Sequence, residues 1–188
     1  MAAGRTPCAA GCCAGRNALE AGVESIEHGN FLDEETAAAI ESAGATYVPT
    51  LATYELIDKF GKSGGVPETN LRKIRQAKER GEEAVRIAHE AGVTIGSGSD
   101  LLGPMQPLKT REFVLKAGII GNMAAIVSAT ATNARLFRLD DRIGTVVEGK
   151  QADLIVVDGN PVDDITVLES ADNVKLVMKE GRVEKRLD

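Results

Sequence analysis

The chain has 188 residues, 43% of them apolar and 27% charged, with a formal net charge of -6. That balance describes a folded globular protein with room for a sizeable core and excludes a disordered one. The negative charge excludes a dedicated nucleic-acid or anionic-membrane binder, which would need a concentrated positive field. No apolar run approaches the roughly 18 residues of a membrane-spanning helix.

Residues 1–16 mix Ala, Gly, Cys and Arg without a hydrophobic period that commits them to helix or strand. They read as an atypical leader. The tract after Arg5 is too weakly apolar for a secretory signal, which gives a cytoplasmic expectation. The three cysteines, Cys8, Cys12 and Cys13, are odd in number and clustered, which disfavours a disulfide framework. Zinc ligation by Cys8 and Cys12 is conceivable on a helix, but no fourth partner lies nearby and the surroundings are only alanine and glycine.

From Asn17 the pattern settles. Ala18-Leu19-Glu20-Ala21 closes a helix, and Val23 to Glu27 predicts a strand ending at His28-Gly29. The acidic turn Asp33-Glu34-Glu35 suits a helix amino terminus, and that helix is expected to run to Ser42-Ala43 and stop at Gly44. Thr46 to Leu51 reads as the next strand, with Pro49 marking its end. The loop Gly61-Lys62-Ser63-Gly64-Gly65 leads into the longest helix, Glu68 to Glu90, with Leu71, Ile74, Val85 and Ala88 on one stripe. Arg72, Lys73, Arg75, Lys78 and Arg80 are interleaved with Glu79, Glu82 and Glu83, the pattern of a solvated face rather than a nucleic-acid patch. His89 precedes the next strand and is expected at the surface.

Gly92-Val93-Thr94-Ile95 then predicts a third strand, ending in Gly96-Ser97-Gly98-Ser99-Asp100. Helices are expected over Leu108 to Ala117 and Met123 to Phe137. After a boundary near Asp141 the period shortens, and Arg142 to Val147, Asp153 to Val157 and Val174 to Met178 read as strands of a small β module. The expected organisation is a leader (1–16), an α/β part (17–141) and the module (142–188).

The chemistry-bearing positions are the two polar tips. In a parallel barrel of alternating strands and helices, strand carboxyl ends converge on one mouth, so His28 and Asp100 are expected to face a common ligand. Taken alone, His28 also suits a satisfied buried histidine, and Asp100 suits a turn or cap carboxylate. Gly96-Ser97-Gly98-Ser99 lacks the lysine and glycine spacing of a phosphate-binding loop.

Four segments carry a family resemblance: Ala21-Gly22-Val23-Glu24-Ser25-Ile26-Glu27-His28-Gly29, Gly98-Ser99-Asp100, Ala129-Thr130-Ala131-Thr132-Asn133-Ala134-Arg135, and the most diagnostic, Gly144 through Pro161. Over about Asn17 to Val183 the chain resembles the carboxyl-terminal part of the metal-dependent amidohydrolase superfamily, the branch of imidazolonepropionases and Xaa-Pro dipeptidases. The resemblance implies an α/β fold, a partial (β/α)8 barrel holding the counterparts of strands six to eight, followed by part of a small β-sandwich. It implies a hydrolase of C-N bonds that uses zinc on a small amide, dipeptide or cyclic-amide substrate. His28 matches the strand-six histidine ligand, and Asp100 matches the strand-eight aspartate, a metal ligand and the general base and acid. Thr50, Thr53 and Tyr54, after the strand-seven counterpart, are implied to contact substrate.

The chain also departs from the family. It holds no His-x-His pair, and where a strand-five histidine belongs it has the Cys-Gly tract, so the leader reads as the product of a shifted frame or aberrant start. Two visible ligands fall short of the three a catalytic zinc takes, which implies little or no turnover by this chain alone. Uncovered strand edges imply a homo-oligomer. The competing expectations are a catalytically silent oligomeric interaction fragment and a binding module without chemistry.

Overall fold

One local device recurs three times in the first half of the chain. A computed structural model describes residues 12–187; expectations placed on residues 1–11, Cys8 among them, lie outside the described residues, as do the side chains of Cys12 and Cys13. Helices α1 (Cys12–Glu20), α2 (Glu34–Ser42) and α4 (Glu68–Glu90) each run into an Ala-Gly pair. The glycines are left-handed, with φ of 85° at Gly22, 65° at Gly44 and 76° at Gly92. The next amide reaches back five residues: Val23 N to Ala18 O at 3.3 Å, Ala45 N to Ile40 O at 3.1 Å, Val93 N to Ala88 O at 3.0 Å. This satisfies carbonyls that the helix end leaves open and turns the chain sharply.

Each stop launches a strand. β1 (Ser25–Glu27), β2 (Thr46–Val48) and β3 (Thr94–Ile95) form a parallel sheet in the order β1-β2-β3. Ser25 aligns with Thr46, and Thr46 with Thr94. The central strand is buried along its whole length, as parallel sheets require, and Tyr47 is fully enclosed. β2 stops before the buried Pro49, where its end was expected, and helix α3 (Leu51–Phe60) begins two residues later. Proline has no amide to extend the ladder, so the chain leaves the sheet there.

The chain divides into two compact units. The first holds the residues up to Pro49 and Tyr54–Ile95; the second holds Thr50–Thr53 and everything from Gly96. The change of period near Asp141 therefore falls inside the second unit. In the first, Ile40, Tyr47, Val85 and Ala88 are wholly buried. α4 spans the expected residues and buries Leu71, Ala77, Gly81, Ala84, Val85 and Ala88, with Ile74 half-buried. Its charged face is ion-paired: Asp58 of α3 accepts from Arg75 at 2.8 Å and Lys78 at 3.0 Å. These two cations hold the Asp58 carboxyl below the usual range, Lys78 contributing most. His89 is exposed, as expected. The leader is helical from Cys12 onward, against the absence of any helical period, because α1 packs on α2.

In the second unit Gly103–Leu108 forms a 3-10 turn, then come α5 (Arg111–Ile120), α6 (Asn122–Val127), a π-turn (Ser128–Thr132) and α7 (Asn133–Leu136). The helix expected from Leu108 begins later because Pro104 and Pro107 withhold backbone donors. The expected single helix over Met123 to Phe137 is interrupted by the π-turn. Ala117, Ala125 and Ile165 pack with Phe113, Val114, Ile126 and Leu168. β4 (Leu154–Val157), β5 (Val174–Lys179) and β6 (Arg182–Arg186) make an antiparallel sheet in that order.

One expected strand is absent here and one unexpected strand forms. Arg142 to Val147 is not a strand: Val146 is 84% exposed, and alternation without a partner makes no ladder. β6 is a strand without a sequence signal, since Arg-Val-Glu-Lys-Arg has no apolar run. It forms because Glu180 and Gly181, with φ of 50° and 76°, make a two-residue hairpin loop that returns the chain onto β5. Among the described residues no helix is long and apolar enough to cross a membrane.

The packing of α2 yields a testable pair. Asp33 caps it by accepting from Thr36 N at 2.9 Å, and Ile40 is fully buried. Asp33→Ala is expected to cost about 1 kcal/mol, and Ile40→Ala about 2–5 kcal/mol, both read from urea unfolding midpoints at unchanged slope.

Candidate active site

His28 belongs to the first unit and follows the last residue of β1. Its amide still pairs with β2, donating to Val48 O at 3.0 Å. Its backbone then turns left-handed, with φ of 67°, a conformation that a residue with a side chain rarely adopts. Tyr47 holds it there: the phenol donates to His28 O at 3.0 Å from a ring with no exposed surface. Gly29 is required next to it, because a Cβ at that position would lie 2.7 Å from Cε2 of Tyr47. The result is an exposed imidazole on a rigid stem.

That imidazole lines a cavity of about 400 Å³ together with Glu27, Asn30, Phe31 and Tyr54. Asn30 is buried and donates to Ala77 O at 2.9 Å, which ties the loop after β1 to α4. Of the residues expected to contact substrate, Tyr54 is therefore brought beside His28.

Asp100 belongs to the second unit, and so do Thr50 and Thr53. Asp100 is also left-handed, with φ of 48°, and exposed. Thr53 donates its hydroxyl to Asp100 O at 3.1 Å, so this buried threonine holds the backbone of the aspartate. Thr50 is 3% exposed. Among the described residues only His28, Asp100, Arg138 and Glu180 are non-glycine positions with positive φ. Two of the four are the polar tips singled out from sequence. Strain of this kind persists only where surrounding contacts over-determine it, and it gathers at functional sites.

Sequence reasoning missed the network behind Asp100. Lys116 of α5 has no exposed surface, and its ammonium donates to Gly96 O at 3.0 Å and Ser128 Oγ at 3.1 Å. Glu112, one turn earlier and also buried, accepts from Ala52 N at 2.8 Å, satisfying an amide in the first turn of α3. Asn133 pairs with Ser97 through both main-chain groups, accepting from Ser97 N at 3.0 Å and donating to Ser97 O at 2.8 Å. The Ser97 amide is thus committed, consistent with the absence of a phosphate-binding pattern. The available signal was a Glu–Lys pair four residues apart inside an otherwise apolar helix, Phe113-Val114-Leu115 between them.

The donor set decides whether a zinc centre fits. Among the described residues no three His, Cys, Asp or Glu side chains gather as a metal site. Catalytic zinc takes about three protein ligands, so the described residues do not fit a zinc centre by themselves.

Burial pushes the Lys116 ammonium down from 10.5 to about 8, with Glu112 opposing the shift. The folded form therefore releases its proton before the unfolded one, and the penalty for burying the charge is fully present below pH 8. Between about pH 8 and 10.5 the unfolded chain holds the extra proton, so folding stability rises with pH. Against Lys116→Met, the wild type is expected to gain up to roughly 3 kcal/mol across that window, measured as the difference between their urea unfolding free energies at each pH.

Comparisons with known proteins identify the family of the chain. Residues 10–183 match the model of the Amidohydrolase family. Ochratoxinase of Aspergillus niger is 31% identical over 170 residues, covering 89% of this chain and 35% of that protein. An uncharacterised protein of Mycobacterium tuberculosis is 30% identical over 169 residues, covering 87% of this chain and 43% of its own length. A prolidase complexed with N-methylphosphonate-L-proline superposes with a TM-score of 0.89 at 38% identity, over 93% of this chain and 43% of that one. A Xaa-Pro dipeptidase with methionine in its active site gives 0.84 at 36%, with the same coverage. The chain thus spans less than half the length of these relatives and has the α/β fold of the part it matches. It belongs to the amidohydrolase family.

Proposed function

We propose that this chain carries part of the machinery of a hydrolase that cleaves a C-N bond in a small amide, dipeptide or cyclic amide. The observation that carries the reading is the pair of strained polar residues, His28 directly after β1 and Asp100 in the loop after β3, each left-handed and each held by a hydrogen bond to its own carbonyl. The prolidase, dipeptidase and ochratoxinase likenesses support the reaction class. β1, β2 and β3 stand for strands six to eight of a (β/α)8 barrel, and β4 to β6 for part of its β-sandwich.

In this reading Asp100 is the general base and then the acid. Its carboxylate takes a proton from water as the oxygen bonds to the amide carbon, and returns a proton to the nitrogen as the C-N bond breaks. His28 supplies an imidazole at the position of a zinc ligand in the family, but the described residues hold too few donors for that ion by themselves, so no step is assigned to it. Tyr54 shapes the substrate cavity, whereas Thr50 and Thr53 act from below the surface, Thr53 through the backbone of Asp100.

A second reading is favoured by the shortfall of metal donors: a catalytically silent fragment that persists as a homo-oligomeric interaction protein. The two are separated by assaying Xaa-Pro dipeptides, N-acyl amino acids and cyclic amides, with zinc determined by elemental analysis and mass in solution by light scattering. The hydrolase reading expects slow but measurable turnover that falls about 10²–10⁴-fold in Asp100→Asn, and zinc that is lost in His28→Ala. An inert, zinc-free oligomer sinks it and supports the second reading.

A further inference from the structure

We infer that Asn133 and Lys116 are positioning residues for Asp100, holding the segment Gly96–Asp100 in the one backbone path that presents its carboxylate. The inference rests on the reading of Asp100 as a catalytic group. Gly96-Ser97-Gly98-Ser99 has two glycines and two short polar residues, a composition with wide conformational freedom. Yet the segment is fastened along its length: Lys116 Nζ to Gly96 O at 3.0 Å, the reciprocal Asn133–Ser97 pair at 2.8 and 3.0 Å, and Thr53 Oγ1 to Asp100 O at 3.1 Å. All four bonds grip main-chain atoms. The side chain of Asp100 is used by none of them, so the segment is rigid at its root and functional at its tip.

The grips come from three elements, the first turn of α3, α5 and α7, so one loop path must satisfy all of them together. The π-turn explains how the last two are aimed. Its first residue, Ser128, is 2% exposed and accepts from Lys116 Nζ at 3.1 Å while donating to Ala125 O at 2.6 Å. Its last, Thr132, immediately precedes Asn133. A π-turn widens the helix by one residue and rotates the next turn about the axis, a device that recurs at functional sites. Here it lets one short helical run present both Ser128 and Asn133 to the same buried network. A half-buried side-chain amide that makes two bonds to one residue acts as a two-point clamp, and loss of either bond frees Ser97 to rotate.

The test uses Asn133→Ala, Asn133→Asp and Lys116→Met in the full chain. Amide hydrogen exchange is read by NMR at Ser97, backbone chemical shifts at Asp100, and kcat and KM on any substrate the wild type hydrolyses. Asn133→Ala is expected to speed Ser97 exchange about tenfold or more while Tyr47 in β2 exchanges as in the wild type. Displaced Asp100 shifts and a kcat lower by about ten- to a hundredfold, with KM within about twofold, accompany it. Asn133→Asp keeps the acceptor for the Ser97 amide and falls between. If Asn133→Ala does not fold, Lys116→Met and Asn133→Asp carry the same readings.

Wild-type kcat and Asp100 shifts in the folded Asn133 and Lys116 variants overturn the inference while leaving the hydrolase reading intact. A wild-type chain without turnover on any substrate defeats the hydrolase reading instead. Exchange and shifts then decide the clamp alone, and unchanged values at Ser97 and Asp100 overturn it.

Discussion

The candidate site depends on holding two non-glycine residues in left-handed backbone, one directly after β1 and one in the loop that follows β3. His28 and Asp100 have φ of 67° and 48°, and the steric cost of that region is offset by a hydrogen bond to the carbonyl of each, from Tyr47 and from Thr53. Both donors are themselves fixed by regular structure: Tyr47 is the middle of β2, and Thr53 lies in the first turn of the helix after it. One short stretch of chain, Thr46 to Thr53, thus supplies the support for both polar tips.

Burial sets the strength of that support. Tyr47 has no exposed surface, so its phenol must find an acceptor inside the protein, and the His28 carbonyl is the one it takes. The same rule works behind Asp100. A lysine and a glutamate enclosed in α5 carry a desolvation cost that their mutual attraction and their hydrogen bonds offset, and those bonds reach the backbone of Gly96 and Ala52. Charge is buried here where it fixes main-chain geometry, while the charged residues of α4 stay at the surface and pair with Asp58.

In each unit the support and the polar tip are separate: hydrogen bonds hold the main chain of His28 and of Asp100, while each of these two residues stays exposed. The likeness to a prolidase and a Xaa-Pro dipeptidase concerns the fold and the family, whereas the shortfall of three gathered metal donors concerns what the described residues hold by themselves.

Much of this was legible in the residues. The repeated Ala-Gly stops after α1, α2 and α4 announced helix ends and the strands beyond them, because a left-handed glycine and its backward hydrogen bonds are local events. The span of α4, the stop at Pro49 and the two polar tips came from period and punctuation alone. Other features were decided only by folding in three dimensions. Arg142 to Val147 alternates yet finds no ladder, and Arg182 to Arg186 lacks an apolar run yet is paired by its hairpin, since a strand is defined by its partner. The π-turn and the grip of Lys116 and Asn133 on Gly96 and Ser97 join residues 20 and 36 positions apart. Sequence by itself determined most of the elements and singled out the two polar tips, because those depend on neighbours along the chain. Tertiary structure alone decided how they are held in place, because burial and long-range hydrogen bonds exist only once the chain has closed on itself.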